Sequence, residues 1–172
     1  MQDNIIVKPS VEKQFDRFLR QGRVLFFSAP CGFGKTAVAE ALLSSREVLR
    51  LPADSVGSKL PSAEADWQIL LLDDLQDMQE EQDWNALCEL IRACPERRFV
   101  LLSRGTPPGS LMAFQYTGLM TVLEADDLLF DADDVRRLLR LYGVEAADSE
   151  IDGILKGSVG YPLGVAITAR CM

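Results

Sequence analysis

Short apolar runs alternate with amphipathic stretches along the first 126 residues of the chain. An uninterrupted apolar run bounded by turn-forming residues is typical of a strand that is buried on both faces. This pattern predicts strands at Val24–Phe27, Ile69–Asp73 and Phe99–Ser103, and weaker strands at Glu47–Leu51 and Thr121–Leu123. Because helical stretches separate these runs, we expect an α/β fold with a mostly parallel sheet and helices on both faces.

Helical spacing of the apolar residues marks the stretches between the strands. The first predicted helix has Ser10 as its N-cap and ends at Gly22. Two more helices are expected over Ala37–Leu43 and Trp84–Ile91. The Ser-, Pro- and Ala-rich stretch Pro52–Asp66 is expected to be a loop.

From about residue 126 the pattern becomes helical only. The predicted helices are Val135–Leu141 with Asp131 as N-cap, Ile151–Leu155 with Ser149 as N-cap, and Leu163–Ala169. We therefore expect a sheet-containing core over residues 1–126 and a small helical segment over residues 127–172.

A glycine-rich stretch lies between the first predicted strand and the next helix. It reads Ala-Pro-Cys-Gly-Phe-Gly-Lys-Thr, the Walker A pattern of P-loop nucleotide-binding domains with alanine in place of the first glycine. In such a loop, backbone N–H groups and a helix N-terminus converge on a phosphate, and glycines allow the close approach. An ordinary glycine turn is the alternative. The predicted nucleotide contacts are Ala29, Pro30, Cys31, Gly32, Phe33, Gly34, Lys35 and Thr36.

An aliphatic run that ends in two acidic residues follows the Walker A pattern. Residues 69–74 read Ile-Leu-Leu-Leu-Asp-Asp, which fits a Walker B strand. Such a strand places Asp73 where it can hold Mg²⁺ together with the Thr36 hydroxyl, and Asp74 where it can orient or deprotonate an attacking water. A helix cap is the alternative for two such acids taken alone.

Arg104 directly follows the third strongly apolar strand. The carboxyl ends of parallel strands share one edge of a sheet, where ligands bind. We therefore expect its guanidinium to contact the γ-phosphate, although a surface arginine in a loop is the alternative. The predicted catalytic residues are Asp74, Lys35 and Arg104, with Lys35 reaching the β- and γ-phosphates.

The chain has a formal net charge of −8 and two acidic stretches. Residues 64–83 hold eight acidic residues and no basic one, and residues 124–150 hold nine acidic residues. Solvated helix faces are the simpler interpretation, and an acidic docking patch is the alternative. The acidic surface argues against sequence-independent binding of nucleic acid, which depends on lysine and arginine.

Histidine is absent, which excludes catalytic and zinc sites built on it. The cysteines Cys31, Cys88, Cys94 and Cys171 form no C-x-x-C pair, so neither a zinc site nor a redox dithiol is indicated. We expect Cys88 and Cys94 to be small core residues in a reducing compartment. Cys31 also precedes a predicted helix and Lys35, which favours a thiolate, although an inert thiol is the alternative. With apolar runs too short to cross a membrane and no signal peptide, we expect a cytoplasmic location.

Together these motifs resemble a known family. Ser-Ala-Pro-Cys-Gly-Phe-Gly-Lys-Thr, Leu-Leu-Asp-Asp-Leu-Gln, Leu-Leu-Ser-Arg-Gly-Thr-Pro-Pro, the Leu-Leu-Phe-Asp segment from Leu128 and the Gly-Tyr-Pro-Leu segment from Gly160 stand in the order found in STAND-class signal-transduction ATPases. The chain most resembles the MalT-like branch of LuxR-type transcriptional regulators, from about residue 5 to residue 170.

The resemblance implies a function and one further site residue. Arg104 matches the family's sensor arginine, and Pro162 matches the proline that packs near the adenine. Such proteins use ATP binding and slow hydrolysis to switch a multidomain regulator between resting and active states. We therefore expect ATP or ADP with Mg²⁺ as ligands, self-association in the ATP-bound state, and no direct binding of DNA by this chain.

The chain also departs from the family's pattern. Cys31 stands where relatives usually carry a small residue such as alanine, and Gln76 where they often carry histidine. Only 37 residues separate Thr36 from Asp74, fewer than in typical relatives. The family's winged-helix, sensor and DNA-binding parts would lie beyond Met172, so we expect a fragment of a larger regulator.

Two other functions stay open on sequence alone. One is a small-molecule phosphotransferase on the same scaffold, which would need a second pocket with basic or polar groups that the acidic stretches do not offer. The other is a catalytically silent nucleotide-binding module. The presence of Lys35, Thr36, Asp73 and Asp74 counts against the silent module.

Overall fold

The strands form one parallel sheet in a computed structural model that describes residues 5–56 and 60–172. They are β1 Val24–Ser28, β2 Val48–Pro52, β3 Ile69–Asp73, β4 Arg98–Ser103 and β5 Met120–Glu124. Their order in the sheet is β2-β3-β4-β1-β5, and all neighbours are parallel. The predicted strands and their parallel arrangement are confirmed. All five strands thus have their carboxyl ends at one edge.

Helices cover both faces of this sheet. They are α1 Pro9–Gln21, α2 Lys35–Leu43, α3 Glu81–Ala93, α4 Met112–Tyr116, α5 Ala125–Leu128, α6 Ala132–Leu141, α7 Asp148–Ser158 and α8 Pro162–Cys171, with 3₁₀ turns at Ala53–Ser55, Leu75–Asp77 and Gly109–Leu111. The sequence does not predict α4 and α5, because helices of five and four residues are too short to show a helical period. Within the predicted loop Pro52–Asp66, residues 57–59 lie outside the described residues, as do residues 1–4.

Alternate residues of the central strands enter two different cores. On β1, Val24 and Phe26 share a core with α3 and α4, whereas Leu25 and Phe27 share one with α1 and α2. All four side chains are fully buried. Burial on both faces is the reason that these strands are continuously apolar rather than alternating.

The last three helices, α6 to α8, form a third core together with Ile6. Lys8 joins this helical segment to the chain that leads into α1. Its ammonium donates to the Leu129 carbonyl and lies 3.5 Å from the buried carboxylate of Asp134. The division of the chain into two parts near residue 126 stays a prediction. Among the described helices, none has the length and apolar character needed to cross a bilayer.

Two of the predicted N-caps are wrong and one is confirmed. α1 begins before Ser10, because Pro9 has no N–H to satisfy and suits the first helical position. α7 begins before Ser149, where the Glu150 carboxylate accepts the backbone N–H three residues earlier at 2.8 Å. Asp131 does cap α6, by accepting the N–H groups of the second and third residues after it.

The expectation of core positions is confirmed for Cys88 and Cys94, which are both buried. Cys31 and Cys171 are exposed. Cys31 lies in the loop that crosses the edge of the sheet, and Cys171 lies at the end of α8. The fold leaves both positions open to solvent.

Candidate functional site

The glycine-rich loop runs from the end of β1 to the start of α2 at the carboxyl edge of the sheet. Gly32 and Gly34 have φ angles of 84° and 77°. Residues with a Cβ rarely adopt such angles, so the two glycines make this turn possible. The loop delivers the chain to the N-terminus of α2, the position in which backbone N–H groups can bind an anion.

Lys35 is the first residue of α2, and its ammonium turns back over the loop. It donates to the Ala29 carbonyl at 2.7 Å and to the Pro30 carbonyl at 3.1 Å. Burial lowers the pKa of Lys35 below its usual range, and the nearby Asp73 carboxylate opposes this shift. The ammonium therefore sits in a partly desolvated position, where a negatively charged partner would stabilise it.

Thr36 and Asp73 bring the loop and β3 together. The Thr36 hydroxyl donates to Oδ2 of Asp73 at 2.9 Å. Oδ1 of the same carboxylate accepts the backbone N–H of Asp74 at 2.7 Å. The strand that lies between β1 and β3 in the sheet is β4, so this contact reaches across its carboxyl end.

Asp74 and Arg104 follow the ends of the adjacent strands β3 and β4. Asp74 has a φ of 58°, a left-handed conformation that aspartate tolerates better than most residues. Its Oδ1 lies 3.8 Å from the Arg104 guanidinium. Gln76 donates to the same Oδ1 at 2.9 Å and accepts the Arg104 backbone N–H at 3.1 Å.

The start of α8 forms a wall against the loop. The Tyr161 hydroxyl donates to the Cys31 carbonyl at 3.0 Å, and the Leu163 N–H donates to the Gly32 carbonyl at 3.2 Å. The rings of Tyr161 and Phe33 meet edge to face, with centroids 5.3 Å apart. The helical segment thus contacts the loop through both backbone and side chains.

Between the loop and the helical segment lies a cleft of about 440 Å³, within the usual range for small-molecule sites. Its polar lining includes Lys35, Thr36, Asp73, Asp74 and Arg104. Its apolar lining includes Ile5, Ile6, Val11, Leu128, Phe130, Leu138, Pro162 and Ala166. A ligand with both charged and apolar parts would suit this lining.

The structure brings most of the predicted site residues to this cleft. Those along its wall are Cys31, Gly32, Phe33, Gly34, Lys35, Thr36, Asp73, Asp74, Arg104 and Pro162, whereas Ala29 and Pro30 contact the Lys35 ammonium with their carbonyls. Their roles stay predictions. Sequence reasoning missed the contact of Tyr161 with the loop and the bridge made by Gln76, and no local pattern signals either pairing.

Solved structures that resemble this chain have the P-loop NTPase fold. A Walker-type ATPase of Pyrococcus abyssi is 11% identical with a TM-score of 0.65, covering 96% of this chain and 67% of its own. A RuvB mutant of Thermotoga maritima is 18% identical with a TM-score of 0.65, covering 98% and 63%. A Signal Transduction ATPase with Numerous Domains (STAND) protein with a tetratricopeptide repeat sensor, from Pyrococcus horikoshii, is 12% identical with a TM-score of 0.62, covering 95% and 30%. No family model and no curated protein matches the sequence.

Proposed function

We propose that this chain binds ATP with Mg²⁺ and hydrolyses it slowly, as the switch module of a multidomain transcriptional regulator. The observation that carries nucleotide binding is the common cleft of Lys35, Thr36, Asp73, Asp74 and Arg104. These side chains come from the ends of two strands, β3 and β4, and the start of one helix, α2. Their convergence beside a glycine-rich loop is the arrangement that phosphoryl-transfer sites require.

Lys35 supports the binding of phosphates at the loop. Its ammonium now contacts two neutral carbonyls, and a phosphate oxygen would replace them with a charge-assisted bond. Hydrogen bonds to charged groups contribute about 1.5–3 kcal/mol. The N–H groups at the start of α2 would add to the same attraction.

Thr36 and Asp73 fit a magnesium ion. Both offer the hard oxygen ligands that Mg²⁺ prefers, and their side chains are already in contact at 2.9 Å. Mg²⁺ usually takes one or two carboxylates together with substrate phosphates, so Asp73 and Thr36 would be sufficient ligands from the protein. When bound, the ion neutralises charge that develops on the phosphates.

Asp74 is the proposed base. The oxygen of a water molecule forms a bond to the γ-phosphorus as the bond to the bridging oxygen breaks, and the water proton passes to the Asp74 carboxylate. The products are ADP and phosphate. Arg104 lies beside Asp74 in this structure, and an incoming γ-phosphate would compete for its guanidinium. Arg104 is therefore the proposed sensor of the phosphate.

The contacts of α8 support the switch role. Because Tyr161 and Leu163 bond directly to the loop, nucleotide occupancy can change how the helical segment sits against it. The proposal includes a cytoplasmic location, self-association in the ATP-bound state, and DNA contact through another domain. In the STAND protein with a tetratricopeptide repeat sensor, the region that matches this chain is 30% of the whole, so a domain of this fold occurs there as one part of a longer protein.

Titration with ATP–Mg²⁺ and with ADP tests the binding proposal. Lys35→Ala should weaken binding roughly 10- to 150-fold, because it removes the charge-assisted contact. Lys156→Ala, an exposed lysine on α7, is the matched control and should bind like the unmodified chain. Equal affinities for Lys35→Ala and the control would refute the assignment of the loop. A gel shift with DNA should be negative for all three proteins.

A further inference from the structure

The amide side chain of Gln76 joins Asp74 and Arg104, which both line the cleft. Gln76 donates from Nε2 to Oδ1 of Asp74 at 2.9 Å and accepts the backbone N–H of Arg104 on Oε1 at 3.1 Å. It lies on the 3₁₀ turn Leu75–Asp77, which packs against β4. The amide therefore connects the chain that leaves β3 with the chain that leaves β4.

A donor and an acceptor at the tip of one side chain are needed to make both contacts. A carboxylate at this position would accept the Arg104 N–H but would place a second negative charge beside Asp74. An aliphatic side chain would make neither bond. The reverse orientation of the Gln76 amide would aim its oxygen at the Asp74 carboxylate, so the two partners also fix which way the amide points.

We propose that Gln76 is a positioning residue for ATP hydrolysis, which holds Asp74 and Arg104 in one arrangement. Its bond to Oδ1 restrains rotation of the Asp74 carboxylate and leaves Oδ2 to accept the proton of the attacking water. Its bond to the Arg104 N–H fixes the backbone from which the guanidinium extends. Gln76 itself exchanges no proton. The inference rests on the proposed function, because the roles of Asp74 and Arg104 in hydrolysis are part of that proposal.

Two substitutions separate positioning from folding. Gln76→Leu keeps much of the volume but removes both bonds, and it should slow single-turnover hydrolysis about 10- to 100-fold, since small misplacements of reacting groups have effects of this size. ATP affinity should stay within about threefold of the unmodified chain, because no binding contact is removed. Gln115→Leu, an exposed glutamine on α4 outside the cleft, is the matched control. Equal denaturation midpoints would show that all variants fold.

Gln76→His tests the need for a donor and an acceptor. A neutral imidazole presents both, whereas its protonated form has two donors and cannot accept the Arg104 N–H. Hydrolysis by Gln76→His should therefore approach the unmodified rate at pH 8 and fall as the pH drops through about 6.5. The charged groups around this turn are Asp77 on the turn itself, Asp73 and Asp74 directly before it, Arg104 after β4, and Asp54 on the neighbouring 3₁₀ turn. The unmodified chain has no histidine, so it should lack this transition.

Hydrolysis by Gln76→Leu at the unmodified rate would overturn the inference, and so would parallel losses of rate and affinity. A Gln76→His variant as slow as Gln76→Leu at pH 8 would also overturn it. These results leave the proposed function intact as long as the unmodified chain binds and hydrolyses ATP. An unmodified chain that binds no nucleotide, or binds it without releasing phosphate, would refute the proposed function and this inference together.

Discussion

The phenolic oxygen of Tyr161 occupies the space that a Cβ atom on Gly32 would need. A Cβ built on Gly32 would lie 1.8 Å from this oxygen and 2.6 Å from the adjacent ring carbon. The helical segment therefore rests directly on the backbone of the glycine-rich loop. Any side chain at position 32 would push Tyr161 away from the Cys31 carbonyl and the Phe33 ring that it contacts.

Gly32→Ala should therefore be more destabilising than Gly34→Ala. Both residues have positive φ angles, but a Cβ on Gly34 would meet no atom within 4 Å. Gly34→Ala should cost about 1–2 kcal/mol for the left-handed backbone. Gly32→Ala should cost about 1–3 kcal/mol more, from the lost hydrogen bond and ring contact. Chemical denaturation without ligand measures the loss in free energy of unfolding for each variant. The difference between Gly32→Ala and Gly34→Ala should largely vanish when Tyr161→Ala is also present. Additive effects of Gly32→Ala and Tyr161→Ala would contradict this coupling.

Asp73 and Asp74 should respond differently to loss of their charge. Asp74→Asn should keep nucleotide affinity but lose about 10²–10⁴ in hydrolysis rate, because the substitution removes the proposed base. Asp73→Asn should instead weaken the Mg²⁺-dependent part of binding, because it removes a charged oxygen ligand. Single-turnover hydrolysis and titrations with and without Mg²⁺ distinguish the two. An Asp74→Asn variant that hydrolyses ATP at the unmodified rate would place the base elsewhere.

Bound nucleotide should slow alkylation of Cys31. This thiol is exposed and lines the cleft, so phosphates in the loop would restrict access to it. Cys171 provides an internal control, because it is exposed but does not line the cleft. Mass spectrometry after timed labelling, with and without ATP–Mg²⁺, should show protection at Cys31 alone. Equal labelling of Cys31 in both conditions would argue against a ligand over the loop.

Nucleotide affinity should fall at alkaline pH as Lys35 loses its proton. Burial lowers the pKa of Lys35 in the free protein, whereas a bound triphosphate would favour the charged ammonium. Nucleotide affinity is therefore greatest at pH values below the pKa of Lys35 in the free protein. It falls as the pH rises through that pKa, which lies below the usual lysine value of about 10.4. Because one proton is involved, the fall should not exceed about tenfold per pH unit.

Titrations across the alkaline range in a Cys31→Ala background measure this effect without a thiol in the loop. Lys35→Arg in the same background is the matched control, because a guanidinium stays charged throughout. The nucleotide affinity of the Lys35→Arg variant should not fall across the alkaline range, whether it is higher or lower than that of the unmodified chain. The same slope in both proteins would show that another group controls the pH dependence.

Much of the fold is predictable because local pattern and tertiary environment agree. The β1 run of four buried apolar residues reads as a strand covered on both faces, and the structure has helices on both faces there. Prediction fails at Ser10 because a preceding proline, rather than a side-chain cap, starts the helix.

The sequence by itself determined the glycine-rich loop, the strand that carries Asp73 and the helices after residue 126, because spacing and chain neighbours specify each of them. The tertiary structure alone decided that Tyr161 rests on Gly32 and that Gln76 bridges Asp74 and Arg104. The first pair is separated by most of the chain, and the partners of Gln76 leave two strands that become neighbours only when the sheet forms. Contacts of this kind depend on strand order and helix docking, and no short stretch of sequence encodes either.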